Sequence, residues 1–266
     1  MKRFTIFMFT MLLVFTMTAC SNGQAAGDEK KKQLTLFAAA SLTEAFNEMA
    51  DAFEKQTGAD VSISFAGTQV LRTQIEQGAQ PDVFASANIK HMQAVKKEGF
   101  VSNYETFAYN SLVLIVPKNN PAHITRLKDL ASKNLKLVIG VKKVPIGIYT
   151  RKMLTNAAQS FGASFKSEVL NHVVSMETNV KQVVKKVTLG EADAGIVYDS
   201  DVTNAVDDKV KTIKIPDDFD VKASYTIAVL NKAGHPDLAR KWLDFVTSDK
   251  GQAILKAHHF AGAHSS

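Results

Sequence analysis

Phe37-Ala38-Ala39-Ala40-Ser41-Leu42-Thr43-Glu44-Ala45-Phe46 runs from an apolar strand, through three alanines, into a helical pattern. Ser41 suits an N-cap, and Glu44 three residues later completes a Ser-x-x-Glu capping box. Behind them Leu42, Ala45, Phe46, Met49, Ala52 and Phe53 recur at helical spacing and give the helix one apolar stripe. No side chain at this strand end is large enough to cover the start of the helix, whose first N–H groups have no partner within it. A strand feeding directly into a helix in this way is the repeating unit of an α/β fold.

The same grammar recurs along the chain. Strand-like runs are expected at 34–39, 61–65, 83–85, 112–116, 135–141, 194–198, 210–215 and 225–230, and helical segments at 42–56, 70–77, 89–97, 147–161, 180–189 and 236–247. Their alternation predicts α/β units built on mainly parallel sheets covered on both faces. Three early β–α units end near Lys97, a middle set occupies roughly 117–216, and a last strand with two helices closes the chain. A chain that enters a second domain and returns leaves two crossing strands, expected near 110–113 and 221–225.

Three further helix entrances resemble the first in kind. Phe65-Ala66-Gly67-Thr68 offers Thr68 as a cap; Val144-Pro145-Ile146-Gly147 places Pro145 at a first helical position, where a missing N–H costs nothing. Thr178-Asn179-Val180 precedes Val180, Val183, Val184 and Val187 at helical spacing. Each aims unpaired backbone donors and the positive end of a helix dipole outward, a combination that attracts anions, and open sheets bind ligands at strand ends. Since every helix needs a start, one such entrance is weak evidence, and four in one chain strengthen it modestly.

The first residues of the chain speak of export. Residues 1–19 carry Lys2 and Arg3, an apolar run and Met17-Thr18-Ala19 before Cys20, which reads as a signal peptide. Met-Thr-Ala-Cys resembles a lipobox, although leucine is commoner than methionine at its first position, so Cys20 is the expected lipidation site. Residues 20–32 then form a polar tether to a protein held at the outer face of the cell membrane. Cys20 is the only cysteine in 266 residues, which leaves no thiol for disulfides or covalent catalysis. Removing residues 1–19 leaves 30 Lys and Arg against 26 acidic residues, so the formal charge falls from +6 to +4. The lysine pairs are scattered without interleaved aromatics, which argues for a solvated surface and against nucleic acid.

Several motifs together resemble the molybdate-binding proteins of bacterial ABC importers. They are Phe37 to Leu42, Phe65 to Thr68, Pro81-Asp82-Val83-Phe84-Ala85-Ser86-Ala87, Asn110 to Pro117, Val144 to Tyr149 and Gly195-Ile196-Val197-Tyr198. The resemblance implies a type II periplasmic-binding-protein fold, with two mixed, mainly parallel sheets in two lobes joined by crossing strands. Lobe one would take 33–111 and 224–266, and lobe two 112–223. It also implies a monomer, not an enzyme, that needs no cofactor, closes on molybdate or tungstate and delivers it to a membrane permease. The ligand positions it carries over are Ser41 and Thr68 in the first lobe, and Ile146, Val180 and Tyr198 in the second. Ile146 and Val180 would act through main-chain N–H groups, and Tyr198 through its phenol.

These five positions are uncharged and offer donors, which suits a fully deprotonated dianion better than a protonated phosphate. Two departures from the family pattern bear on the ligand: Ile146 stands where alanine is usual, and Gly140-Val141-Lys142-Lys143 replaces a longer loop with an Asp-Pro pair. They keep another tetrahedral oxyanion such as sulfate open as an alternative. A metal-binding lipoprotein is suggested by His258, His259 and His264, and an enzyme by the breadth of two-lobed folds. No His-Glu-x-x-His, Gly-x-Ser-x-Gly or phosphate-loop motif accompanies either.

Overall fold

The computed structural model describes residues 33–131 and 134–263. The expected signal peptide, Cys20, the tether and His264 lie outside the described residues. Among the described residues no helix is long and apolar enough to cross a membrane.

The chain opens with three β–α units: β1 (Gln33–Ala39), α1 (Thr43–Thr57), β2 (Asp60–Ala66), α2 (Thr68–Glu76), β3 (Val83–Ser86) and α3 (Ile89–Lys97). Next come β4 (Glu105–Asn110), β5 (Leu112–Pro117), β6 (Leu137–Gly140), α4 (Pro145–Phe161), α5 (Phe165–Asn171), β7 (Val173–Glu177), α6 (Val180–Thr188) and β8 (Ala194–Tyr198). The last elements are α7 (Asn204–Asp207), β9 (Val210–Lys214), β10 (Ala223–Val229), α8 (Pro236–Thr247), α9 (Asp249–Ala257) and β11 (Ala261–Gly262). The strands form a first sheet in the order β11-β4-β10-β3-β1-β2 and a second in the order β7-β6-β8-β5-β9. Two mixed sheets with helices against them make a two-lobed α/β protein.

The chain changes sheet twice. Ser111 alone separates β4 from β5, and the return runs from the end of β9 to β10, whose Ala223 pairs with Asn110. Asp220 ties the two crossings together, because one carboxylate oxygen accepts the N–H groups of Leu112 at 3.1 Å and Val221 at 2.8 Å. The expectation of mainly parallel sheets needs correction: four pairings are parallel and five antiparallel. The strand that follows each crossing, β5 or β10, slots between two neighbours of opposite direction, and those insertions make four of the five.

Packing around the first sheet shows why the apolar stripes were where they were. The α1 stripe meets α8 and α9 on one face, where Trp242 sets its edge against Phe46 and Phe53 at 5.6 and 5.3 Å between ring centres. On the other face α2 and α3 close a second cluster of Leu71, Ile75, Phe84, Met92 and Val95. Asp82, buried in the Pro81-Asp82-Val83 motif, is a structural clamp. It accepts Thr35 N–H and O–H at 2.8 and 2.9 Å and His235 N–H at 2.8 Å, which joins β1 to the loop before α8.

Candidate functional site

The four helix entrances converge. A cleft of about 210 Å³, mouth included, is lined on the first lobe by 39–41 and 66–68, and on the second by 144–146, 179–180 and Tyr198. Ser41, Thr68, Ile146, Val180 and Tyr198 are therefore all brought to one place from positions up to 157 residues apart in sequence. Nothing charged lines the cleft. Each entrance has its own local cause. Pro145 sits at the start of α4 and Asn179 caps α6, accepting the Gln182 N–H at 3.1 Å; Gly67 precedes α2 in an extended conformation.

The first entrance departs from the expected capping box. Residues 40–42 form a 3-10 turn, α1 starts at Thr43, and neither start has a side-chain cap. Ser41 instead places its Oγ 2.7 Å from the Tyr225 hydroxyl, both groups buried. If Tyr225 donates, the Ser41 proton points elsewhere, and two hydroxyls in series polarise one another. Thr68 is set up likewise: its Oγ1 accepts the Ala87 N–H at 3.2 Å, which leaves its own proton to give. Sequence reasoning missed Tyr225 as the support of Ser41. Its only signal was a phenol inside the otherwise buried strand that returns to the first sheet.

Tyr198 carries the strongest chemical statement in the cleft. It is 1% exposed, and its hydroxyl is buried with no hydrogen-bond partner in the structure. A buried phenol without a partner forfeits free energy, so a group in that position calls for one. Burial above all, then the neighbouring Tyr225 and Tyr149 phenols and the Asp201 carboxylate, hold Tyr198 well above the usual tyrosine range. Burial raises Tyr225 in the same way. Both phenols consequently stay protonated donors at any physiological pH.

Ile146 lines the cleft, yet its Cγ2 branch packs away over the end of β6. A Cβ added at Gly140 would stand 2.6 Å from that methyl, so the missing side chain at 140 makes room for the extra bulk at 146. The Ile146 N–H, in the first turn of α4, has no partner inside its helix. The shorter basic loop also has a contact: His91 of α3 donates Nε2–H to the Lys143 carbonyl at 3.1 Å. Across the cleft, Gln69 of α2 donates to the Thr178 carbonyl at 2.8 Å, just before α6. The two lobes thus meet around the cavity.

The histidines of the metal reading face separate carboxylates, His258 Nε2 lying 2.8 Å from Glu48 and His259 Nδ1 3.5 Å from Asp199. Among the described residues no group of three or more His, Cys, Asp or Glu is placed to hold a metal ion.

The chemistry of the lining sets a pH dependence. No lining group titrates between pH 7 and 9, and the phenols are pushed away from that window, so anion affinity should change less than about twofold across it. Two nearby groups change charge only on the acid side. Burial pushes Asp201, beside Tyr198, up to about 6, and protonating it removes a negative charge near the anion. Burial lowers His91, and its hydrogen bond to the Lys143 carbonyl, which the imidazolium also donates, offsets only part of that shift. Titration at constant ionic strength and several pH values checks this; a steep slope above pH 7 would contradict it.

Comparison with known proteins adds the following. A family model described as bacterial extracellular solute-binding protein matches residues 34–261. The molybdate-binding protein ModA of Mycobacterium bovis is 35% identical over 257 residues, 94% of this chain and 94% of that protein. The molybdate-binding protein ModA of Escherichia coli is 34% identical over 250 residues, 90% of this chain and 91% of that one. Among solved structures, the periplasmic molybdate-binding protein of Azotobacter vinelandii matches with a TM-score of 0.75 at 22% identity, covering 86% of this chain and 98% of that chain, a likeness of fold.

Proposed function

The chain belongs to the bacterial extracellular solute-binding proteins, and within that family we propose that it captures molybdate, and tungstate with it, for delivery to an ABC importer permease. The observation that carries this reading is the buried, unpartnered Tyr198 hydroxyl in a cleft lined by neutral donors and no charge. In this reading Ser41 and Thr68 bind the oxyanion from lobe one, through hydroxyl and N–H; Ile146 and Val180 bind it through N–H groups, and Tyr198 through its phenol. Lobe one comprises 33–111 and 224–266, and lobe two 112–223, a division supported by the exchange of sheets at Ser111 and before Ala223. The names of the relatives supply the ligand, and the donor-only lining supports a dianion, because a protonated phosphate would turn its O–H toward donors.

Titrating the purified mature chain with molybdate, tungstate, sulfate and phosphate, followed by intrinsic fluorescence, tests the reading. Tyr149, Tyr198 and Tyr225 cluster at the cleft and supply the signal, whereas Trp242 is in the core. Molybdate and tungstate should bind far more tightly than the others. Tight sulfate with weak molybdate would replace the ligand by the smaller oxyanion, and turnover of a molybdenum compound would make the protein an enzyme.

The protein works as a monomer held to the outer face of the membrane by a diacylglyceryl group on Cys20. Cys20→Ser should move it from the membrane fraction to the soluble fraction, because no other anchor is invoked. Retention of the Cys20→Ser chain in membranes would overturn the anchor.

A further inference from the structure

The entrance to α1 holds a carboxylate that the capping role leaves free. Glu44, in the first turn of α1, places Oε2 2.6 Å from Nζ of Lys181, in the first turn of α6 on the other lobe. The same ammonium lies 3.3 Å from Oδ1 of the buried Asp201, whose other oxygen accepts the Tyr198 N–H at 3.1 Å. A line of charge thus runs from lobe one to the backbone of the residue that offers its phenol to the cleft. Its two halves behave differently. Lys181, Asp201 and Tyr198 belong to the second lobe and stay together whether or not the lobes meet. Glu44 and Lys181 stand 137 residues apart on opposite sides of the cleft, so their contact requires the cleft to be shut.

We propose that Glu44 and Lys181 form a closure latch, a pair of positioning residues that touch no ligand but hold the loaded, shut state and set how fast the anion is released. The latch rests on the reading of the cleft as a closing oxyanion site. An interaction made only in the shut state shifts the opening equilibrium by its own free energy and leaves the open form unchanged. Glu44 and Lys181 are 35% and 28% exposed, so water screens the pair and its effect is moderate. Lys181 is also what keeps Asp201 from presenting a bare negative charge to an incoming dianion. The sign of a Glu44 change is not obvious beforehand, since removing a carboxylate near an anion site would by itself tighten binding. In contact with Lys181, however, Glu44 presents the cleft with a dipole, because the ammonium 2.6 Å away offsets most of its field at the anion.

Glu44→Gln and Glu44→Lys in the purified mature chain separate these effects. Molybdate affinity of Glu44→Gln should fall by about threefold to tenfold, through faster dissociation in stopped flow with association nearly unchanged. Glu44→Lys, which sets two ammonium groups face to face, should lose more. The ligand-free melting temperature of Glu44→Gln should match wild type, because a merely structural residue would lower it and the latch does not. Equal or tighter molybdate binding by Glu44→Gln would overturn the latch, and so would a lowered ligand-free melting temperature. Wild type that binds no molybdate at all would instead sink the functional reading on which the latch rests.

Discussion

Gly67→Ala is expected to lower molybdate affinity by about a hundredfold or more while leaving the ligand-free protein as stable as wild type. Gly67 has φ −60° and ψ 133°, a conformation that alanine adopts without strain, so within the first lobe only the flexible Gln69 side-chain tip has to shift. The obstacle lies across the cleft. A Cβ at this position would overlap the Thr178 carbonyl oxygen, which the second lobe presents and Gln69 holds, and would stand 2.7 Å from the Gln69 amide. Backbone oxygen cannot swing aside as a side-chain tip can, so the lobes of the variant must stop roughly 1 Å short of contact. An anion held from both sides then loses good geometry with one set of donors, and charge-assisted hydrogen bonds weaken steeply with such misplacement. Solution scattering should show contraction on adding molybdate to wild type and little in Gly67→Ala. The ligand should raise the melting temperature of wild type much more than that of the variant. Full affinity in Gly67→Ala would mean that the lobes do not meet here when the ligand is bound.

Much of the architecture was legible because strand and helix alternation is a local signal. Asn179 and Pro145 begin their helices as their chemistry demands, since an N-cap and a first-turn proline act within a few residues. The strands that sequence reading missed depend on distant partners. β4 pairs with β10 and β11 from the far end of the chain, and β7 is a sheet edge whose Val174 and Met176 face solvent, which blurs the alternation. The balance of parallel and antiparallel pairs failed for a related reason: direction in a sheet is decided by where the chain crosses between lobes, and no local pattern records that. The site divides along the same line. Its donors were readable as helix entrances, but Ser41 turned out to be bound to Tyr225, 184 residues away, and Glu44 to Lys181, 137 residues away. Ser-x-x-Glu is a local motif, and here two long-range partners outcompete it.

Ser41→Ala and Tyr198→Phe, one donor from each lobe, should lose similar affinity for molybdate but differ in what they do to the empty protein. In the proposed binding mode each deletes one hydroxyl donor to a buried dianion, and hydrogen bonds to charged partners contribute roughly 1.5–3 kcal/mol, so each should bind about tenfold to a hundredfold more weakly. Stability separates them. Ser41 Oγ lies 2.7 Å from the Tyr225 hydroxyl, which Asn110 also contacts, so Ser41→Ala removes one of two partners of a buried phenol and should cost about 1 kcal/mol of unfolding free energy as well. The Tyr198 hydroxyl has no protein partner to strand. Its ring keeps the edge contacts with Tyr149 and Tyr225 at 6.5 and 6.0 Å, which phenylalanine preserves. Tyr198→Phe should therefore melt at or above the wild-type temperature without ligand, and denature at the same or higher urea concentration, while failing to gain the wild-type shift when molybdate is added. A residue that gives up stability to keep an unpaired phenol in a cleft is behaving as a ligand group. If Tyr198→Phe instead destabilised the empty protein and bound molybdate normally, the phenol would be a structural group, and the anion would be held without it.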